Sequence, residues 1–130
     1  MDNITLADGQ STPANHTFVP TQQVPVSVWT EKLSIPIGEP TISLSYSAAT
    51  SKRRTDKSRL QIALPVLKAV TGSVDGYAPS PDISHIGRVN CDFVTADRST
   101  LAHRADLLAF FRNFIASEAF EELVLNGVKP

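Results

Sequence analysis

Cysteine is nearly absent. Cys91 is the only one in 130 residues, which rules out an intrachain disulfide and any cysteine-based zinc cluster. Its neighbours alternate between apolar and polar, so it reads as an inert thiol on the buried face of a strand. Histidine is also scarce. His16, His85 and His103 fall in different predicted elements, with no carboxylate pair and no phosphate-cradling glycine loop beside them. Asp97 and Asp106 flank His103, but acids at a helix start beside a solvated histidine explain that grouping. Near His16 no metal-ligating partner is found in the sequence, so it reads as a surface or hydrogen-bonding residue. The chain therefore reads as a non-enzyme with no metal site, no cofactor and no small-molecule substrate. There is no signal peptide and no long apolar run, so no membrane association is expected and the protein should be cytosolic and soluble.

What is present is charge in one place. Five of the twelve Lys and Arg residues fall between Lys52 and Arg59. Set against Asp56, they form a local cationic segment on a chain whose formal net charge is only −1. A basic segment on a mildly acidic body suggests a localised anion site. A solvated hairpin tip is the plainer alternative.

That segment lies between two stretches of period-two alternation. Ile42, Leu44 and Tyr46 share one face of the first, and Leu60, Ile62 and Leu64 share one face of the second. The opposite face carries Thr41, Ser43 and Ser45 from the first and Arg59, Gln61 and Ala63 from the second. Such alternation predicts a sheet with one packed face and one wet face. A third row comes from the strand predicted over Ile83–Thr95. There Val89, Cys91 and Phe93 share one face, and Arg88, Asn90 and Asp92 the other. Asp92 is out of place beside an anion site, and pairing with Arg59 or Arg88 would account for it. The polar rows and the cationic loop together suggest a surface for a polyanion.

The remaining elements follow in order. Residues 1–20 predict a hairpin turning near Asp8-Gly9. Residues 24–37 predict strand character, with Pro25 and Pro36 limiting the ladder. Trp29 is expected to anchor packing. A basic loop is predicted over 47–58 and a proline-bearing loop over 71–82. From Thr100 to Leu125 there is neither proline nor glycine, and apolar residues recur at helical spacing. Ser99 or Thr100 could cap a first helix, Ser117 a second, and Asn126-Gly127 stops it. One unbroken helix through Ser117 is the alternative.

Phe110, Phe111, Phe114 and Phe120 crowd this helical region. Burying each would contribute about 1.5–3 kcal/mol. With Leu107, they make the helices apolar on more sides than a small sheet can cover. An intertwined dimer is the simplest arrangement that covers them, with Leu107, Phe110, Phe111 and Phe114 in its interface. The whole predicts an α+β chain of one domain over 1–130: hairpin 1–20, sheet 24–95, helices 99–126.

Taken in order, these pieces resemble the coat proteins of the small single-stranded RNA bacteriophages, the leviviruses. The resemblance is carried by Thr12-Pro13-Ala14-Asn15-His16-Thr17-Phe18-Val19-Pro20, Pro36-Ile37-Gly38-Glu39, Thr41-Ile42-Ser43-Leu44, Leu64-Pro65-Val66, and Asp92-Phe93 with Arg98-Ser99-Thr100. It implies an N-terminal β-hairpin, a five-stranded antiparallel sheet and two C-terminal α-helices, seven strands in all. It also implies a dimer whose helices cross the partner's sheet, giving ten strands. Dimers of that family build a quasi-equivalent icosahedral shell (T=3) around the single-stranded RNA genome, assembled in the bacterial host cytoplasm and found in the virion. A coat dimer also binds a genomic hairpin and represses replicase translation. A cellular RNA-binding dimer of the same fold, without a shell, is the second reading.

Carried over by position, the family's RNA contacts fall on Thr41 and Ser43, Arg59 and Gln61, and Arg88 and Asn90. Ser45 belongs to the same row, and Lys52, Arg53, Arg54 and Lys57 supply phosphate contacts from the loop. The resemblance places loop 71–82 around the symmetry axes of the shell. Two departures stand out. Arg88 occupies the place of a tyrosine that stacks on a base in the best-known members, unless a slip of register puts His85 there. Arg59 and Gln61 replace a threonine and a lysine. An arginine plane can also stack on a base, and the preferred hairpin should differ accordingly.

Overall fold

Six strands and two helices account for the regular structure of the computed structural model, which describes residues 1–68 and 82–129. The strands are β1 (Ile4–Ala7), β2 (Asn15–Gln22), β3 (Ser27–Thr30), β4 (Thr41–Ser47), β5 (Thr55–Leu67) and β6 (Ile83–Ala96). They lie in one sheet in sequence order, each beside the next. The helices are α1 (Leu101–Ile115) and α2 (Glu118–Asn126). This is the α+β antiparallel sheet with two C-terminal helices that the periodicities predict. By compactness the chain divides into two units, Met1–Ala48 with Asp56–Val94, and Ala49–Thr55 with Thr95–Pro130.

In the first unit, alternation places the core. Ile4 lies opposite Phe18, Trp29 opposite Ile42, and Ile42 opposite Ile62. Phe18, Trp29 and Ile42 are buried, with Ile4, Leu60 and Ile62 packed against them. Trp29 anchors this cluster, and its indole N–H donates to the Asp2 carbonyl at 3.0 Å. Further along the same face the covering runs out. Leu44, Leu64 and Val89 are exposed, and Tyr46 is 67% exposed. An open depression of about 500 Å³ lies there, bounded by Pro25, Ser27, Leu44, Tyr46, Leu60 and Phe93.

Two boundaries differ from the sequence reading. Among the described residues there are six strands, because 31–38 does not join the sheet. Leu33, Ile35 and Ile37 alternate, but Pro36 opens a 3₁₀ turn, Pro36–Gly38. Proline gives no ladder hydrogen and holds a fixed φ. The Glu39 carboxylate then closes the segment, accepting from the Leu33 N–H at 3.3 Å and from Lys32 at 3.5 Å. Strand β5 begins at Thr55, so Lys57 and Ser58 are strand residues and the loop ends earlier than 58. The ladder continues because β4 runs to Ser47, which lies opposite Lys57. A charged side chain projects from the sheet and leaves backbone pairing untouched. Residues 71–81 of the predicted proline-bearing loop lie outside the described residues. Asp82 is described, and its carbonyl and carboxylate accept from Lys68 N–H and Nζ at 2.9 and 2.8 Å.

In the second unit, local chemistry sets the helix ends. The Thr100 hydroxyl accepts from the His103 N–H and caps α1. Ser117 interrupts the helical run and caps α2 through the Phe120 N–H, so the helices are two. Gly127 ends α2 in the left-handed region at φ +68°, where its amide reaches the Leu123 carbonyl at 3.0 Å. Phe114 and Phe120 meet edge to face, with ring centroids 5.9 Å apart.

Candidate nucleic-acid interface

The polar face of the sheet is built by β4, β5 and β6. Thr41, Ser43, Ser45 and Ser47 stand opposite Ala63, Gln61, Arg59 and Lys57. On the other side of β5, side chains of β6 reach across. Gln61 Nε2 donates to Asn90 Oδ1 at 2.9 Å. Arg59 Nε donates to Asp92 Oδ1 at 2.8 Å, and its Nη2 to Oδ2 at 3.4 Å. Residue numbers rise along β5 as they fall along β6, so these two strands run antiparallel. The structure thus gathers Thr41, Ser43, Ser45, Lys57, Arg59, Gln61, Arg88 and Asn90 on one wet surface. A shallow depression of about 160 Å³ lies among Thr41, Ser43, Gln61, Arg88 and Asn90.

The charges on this face are not equivalent. Asp92 takes the fork of Arg59 and lies 3.9 Å from Lys57 Nζ. The hydrogen bond from Arg59 holds the Asp92 carboxyl below its usual range, and Asp92 raises Arg59 in turn. One carboxylate therefore offsets two cations. Arg88 has no hydrogen-bond or ion-pair partner among the described residues. The amide pair leaves Gln61 Oε1 as an acceptor and Asn90 Nδ2 as a donor. The surface combines hydroxyls, a donor–acceptor amide pair and a guanidinium, groups that can meet base edges as well as phosphate.

Lys52, Arg53 and Arg54 belong to the second unit. There the Thr50 N–H donates to the Arg53 carbonyl at 2.6 Å, and the Arg53 N–H to the Thr50 hydroxyl at 3.0 Å, closing a turn. Arg54 is committed to Asp97 through a 2.8 Å contact to the carboxylate, and its carbonyl accepts the Asp97 N–H. Sequence reading took all of these cations alike, as phosphate contacts from the loop. Asp97, distant in sequence, gave no local signal that it holds Arg54.

The helices carry the other candidate surface. No residue of α1 or α2 is buried. Phe110 and Phe114 are 71% and 60% exposed, Leu107 is exposed, and Phe111 is half-buried. Among the described residues no group of His, Cys, Asp and Glu is arranged to hold a metal ion.

Comparison with known proteins points one way. The levivirus coat protein family model matches residues 1–128. The chain is similar to the capsid protein of Pseudomonas phage PRR1, 29% identical over 119 residues, covering 91% of this chain and 87% of that one. Among solved structures it is similar to the virus-like particle of bacteriophage NT-214, at 32% identity and TM-score 0.87. It is similar also to the virus-like particle of bacteriophage ESE058, at 25% identity and TM-score 0.91. Each alignment covers 100% of this chain and 98% of the other.

Proposed function

This chain belongs to the levivirus coat protein family, and from that premise we propose that it assembles as dimers into an icosahedral shell around single-stranded RNA and binds a genomic hairpin through its polar sheet face. The observation that carries RNA recognition is the Gln61–Asn90 amide pair, set beside Arg88 and the hydroxyl row of Thr41 and Ser43. Base edges are read by groups that donate and accept at fixed positions, whereas phosphates need only charge. An amide pair held on two neighbouring strands meets the first requirement. Arg88 can stack or contact phosphate, and the basic segment adds sequence-independent attraction. Repression of replicase translation follows when the bound hairpin overlaps the start of that gene.

Dimerisation and assembly are supported by different features. The part of the apolar sheet face around Leu44, Tyr46, Leu64 and Val89, and apolar residues of α1 and α2, are left exposed by the single chain. Leu107, Phe110, Phe111 and Phe114 would be covered by the partner's sheet. The similar chains solved as virus-like particles support the shell.

The test is filter binding of purified dimers to the genomic hairpin and to a scrambled one, over a range of salt concentrations. Preference for the genomic hairpin that persists at high salt is expected. Equal affinity for both RNAs at every salt concentration would refute hairpin recognition. Electron microscopy of protein purified from cells, with sequencing of the RNA inside, tests the shell: regular particles are expected, and dimers without particles would leave only an RNA-binding protein.

A further inference from the structure

His16 lies on β2, opposite Leu6 of β1. Both of its ring nitrogens face carboxylates. Nδ1 is 2.8 Å from Glu31 Oε1, and Nε2 is 3.1 Å from Asp8 Oδ2. Each carboxylate is itself anchored. Asp8 organises the connection between β1 and β2: its Oδ1 accepts from the N–H groups of Gln10 and Ala14 at 3.2 and 3.1 Å, and its own N–H donates to the Ala14 carbonyl at 2.9 Å. Glu31 directly follows β3, and its N–H donates to the Pro40 carbonyl at 3.1 Å. One imidazole therefore links the turn of the N-terminal hairpin to the base of the segment that joins β3 to β4.

The chemistry of the ring makes this link depend on a proton. Neutral imidazole has one N–H and one lone pair, so one of its nitrogens would turn a lone pair toward a carboxylate oxygen. Only the imidazolium donates to both partners. Among the described residues, His16 is the only cationic group paired with Asp8 or Glu31. Lys32, next to Glu31, is engaged with Glu39, whose other oxygen accepts from Leu33. The side chain of Glu31 is 17% exposed, that of Asp8 26% and that of His16 38%, so the carboxylates are sheltered while the ring remains open to proton exchange. We propose that Asp8, His16 and Glu31 form a proton-operated clasp, which fastens the N-terminal hairpin turn to the β3–β4 connection while His16 is protonated and releases it on deprotonation.

The electrostatics agree in sign. The hydrogen bonds that the imidazolium donates to Glu31, then Asp8, raise the His16 pKa above the ordinary imidazole value. The Ala14 N–H, then His16, hold Asp8 below the ordinary carboxyl value. For a raised histidine, the stabilisation is complete below the unfolded pKa and is lost as pH rises through the folded one. For a lowered carboxylate, it is present above the unfolded pKa and is lost as pH falls through the folded one. The clasp is thus closed at and below the ordinary imidazole value, down to the lowered carboxylate range, and opens only as pH rises above that imidazole value.

Hydrogen–deuterium exchange of the full-length assembled protein, read by mass spectrometry between pH 6 and pH 9.5 and corrected for intrinsic exchange, tests this. In the unmodified protein, peptides spanning 8–19 and 31–40 are expected to lose protection in a single step above the ordinary imidazole pKa. The step should vanish in His16→Gln. In Glu31→Gln it should move to lower pH, because one of the two charges favouring the imidazolium is gone. Absence of the step in the unmodified protein overturns the proposal, as does a step unchanged in His16→Gln or unmoved in Glu31→Gln. The last variant keeps the test decisive if His16→Gln does not fold.

Discussion

At the scale of single residues, the polar sheet face separates reading from attraction. Asn90 is neutral, carried on a strand and hydrogen-bonded to Gln61. Asn90→Ala is therefore expected to cost about 1–3 kcal/mol against the genomic hairpin, with little effect on a scrambled RNA and an unchanged salt slope. Filter binding with both RNAs checks it, and equal losses on the two would sink the base-reading role. Asp92 should behave in the opposite way. It restrains Arg59 and lies near Lys57, so Asp92→Asn frees two cations. Affinity for every RNA should rise at low salt and its salt dependence should steepen, by about 0.7 to 0.9 of a unit for each additional phosphate neutralised. Alternation alone placed Asn90, Gln61 and Arg88 on a common face. It left Arg59 and Arg88 as equal candidates for Asp92, and the register between β5 and β6 selected Arg59.

At the scale of elements, ends are set by local chemistry and extents by neighbours. Thr100, Ser117 and Gly127 stop or start helices through their own side chains or φ, so the candidates for these ends were legible in sequence, while the structure chose Thr100 over Ser99 and two helices over one. Ser117→Ala removes the acceptor for the Phe120 amide. A loss of about 0.5–2 kcal/mol is expected in denaturant titration of dimers. The extent of β5 was not legible, because Lys57 and Ser58 join a strand only when Tyr46 and Ser47 lie opposite them. The basic segment is likewise not uniform. Replacing Lys52, Arg53, Arg54 and Lys57 together with Ala should weaken binding to all RNAs alike and flatten the salt dependence. The drop in slope should be smaller than four free cations would give, since Arg54 is held by Asp97 and Lys57 lies near Asp92. A salt slope that does not change would remove this segment from the RNA-binding surface.

At the scale of the whole molecule, the deciding quantity is apolar surface. Phe110 and Phe114 are exposed in the single chain, and each contributes about 1.5–3 kcal/mol when covered. Phe110→Asp places a carboxylate where the proposed partner's sheet would lie, without disturbing a buried contact of its own chain. The unmodified protein is expected to sediment as a dimer or larger at low concentration, and the variant to lose that state. A compact monomer of the unmodified protein would contradict the proposed interface.

The sequence by itself determined which side chains share a face, which residues can cap the helices, and that the helices carry more apolar surface than one subunit buries. These follow from backbone geometry repeated every two or 3.6 residues, and from caps that act within a few positions. Only the tertiary structure decided what meets across strands. It brought Asp8 and Glu31 to the two nitrogens of His16, gave Arg59 rather than Arg88 to Asp92, and took 31–38 out of the sheet. Those pairings depend on register between segments far apart in the chain, and a shift of one residue would turn each side chain to the opposite face.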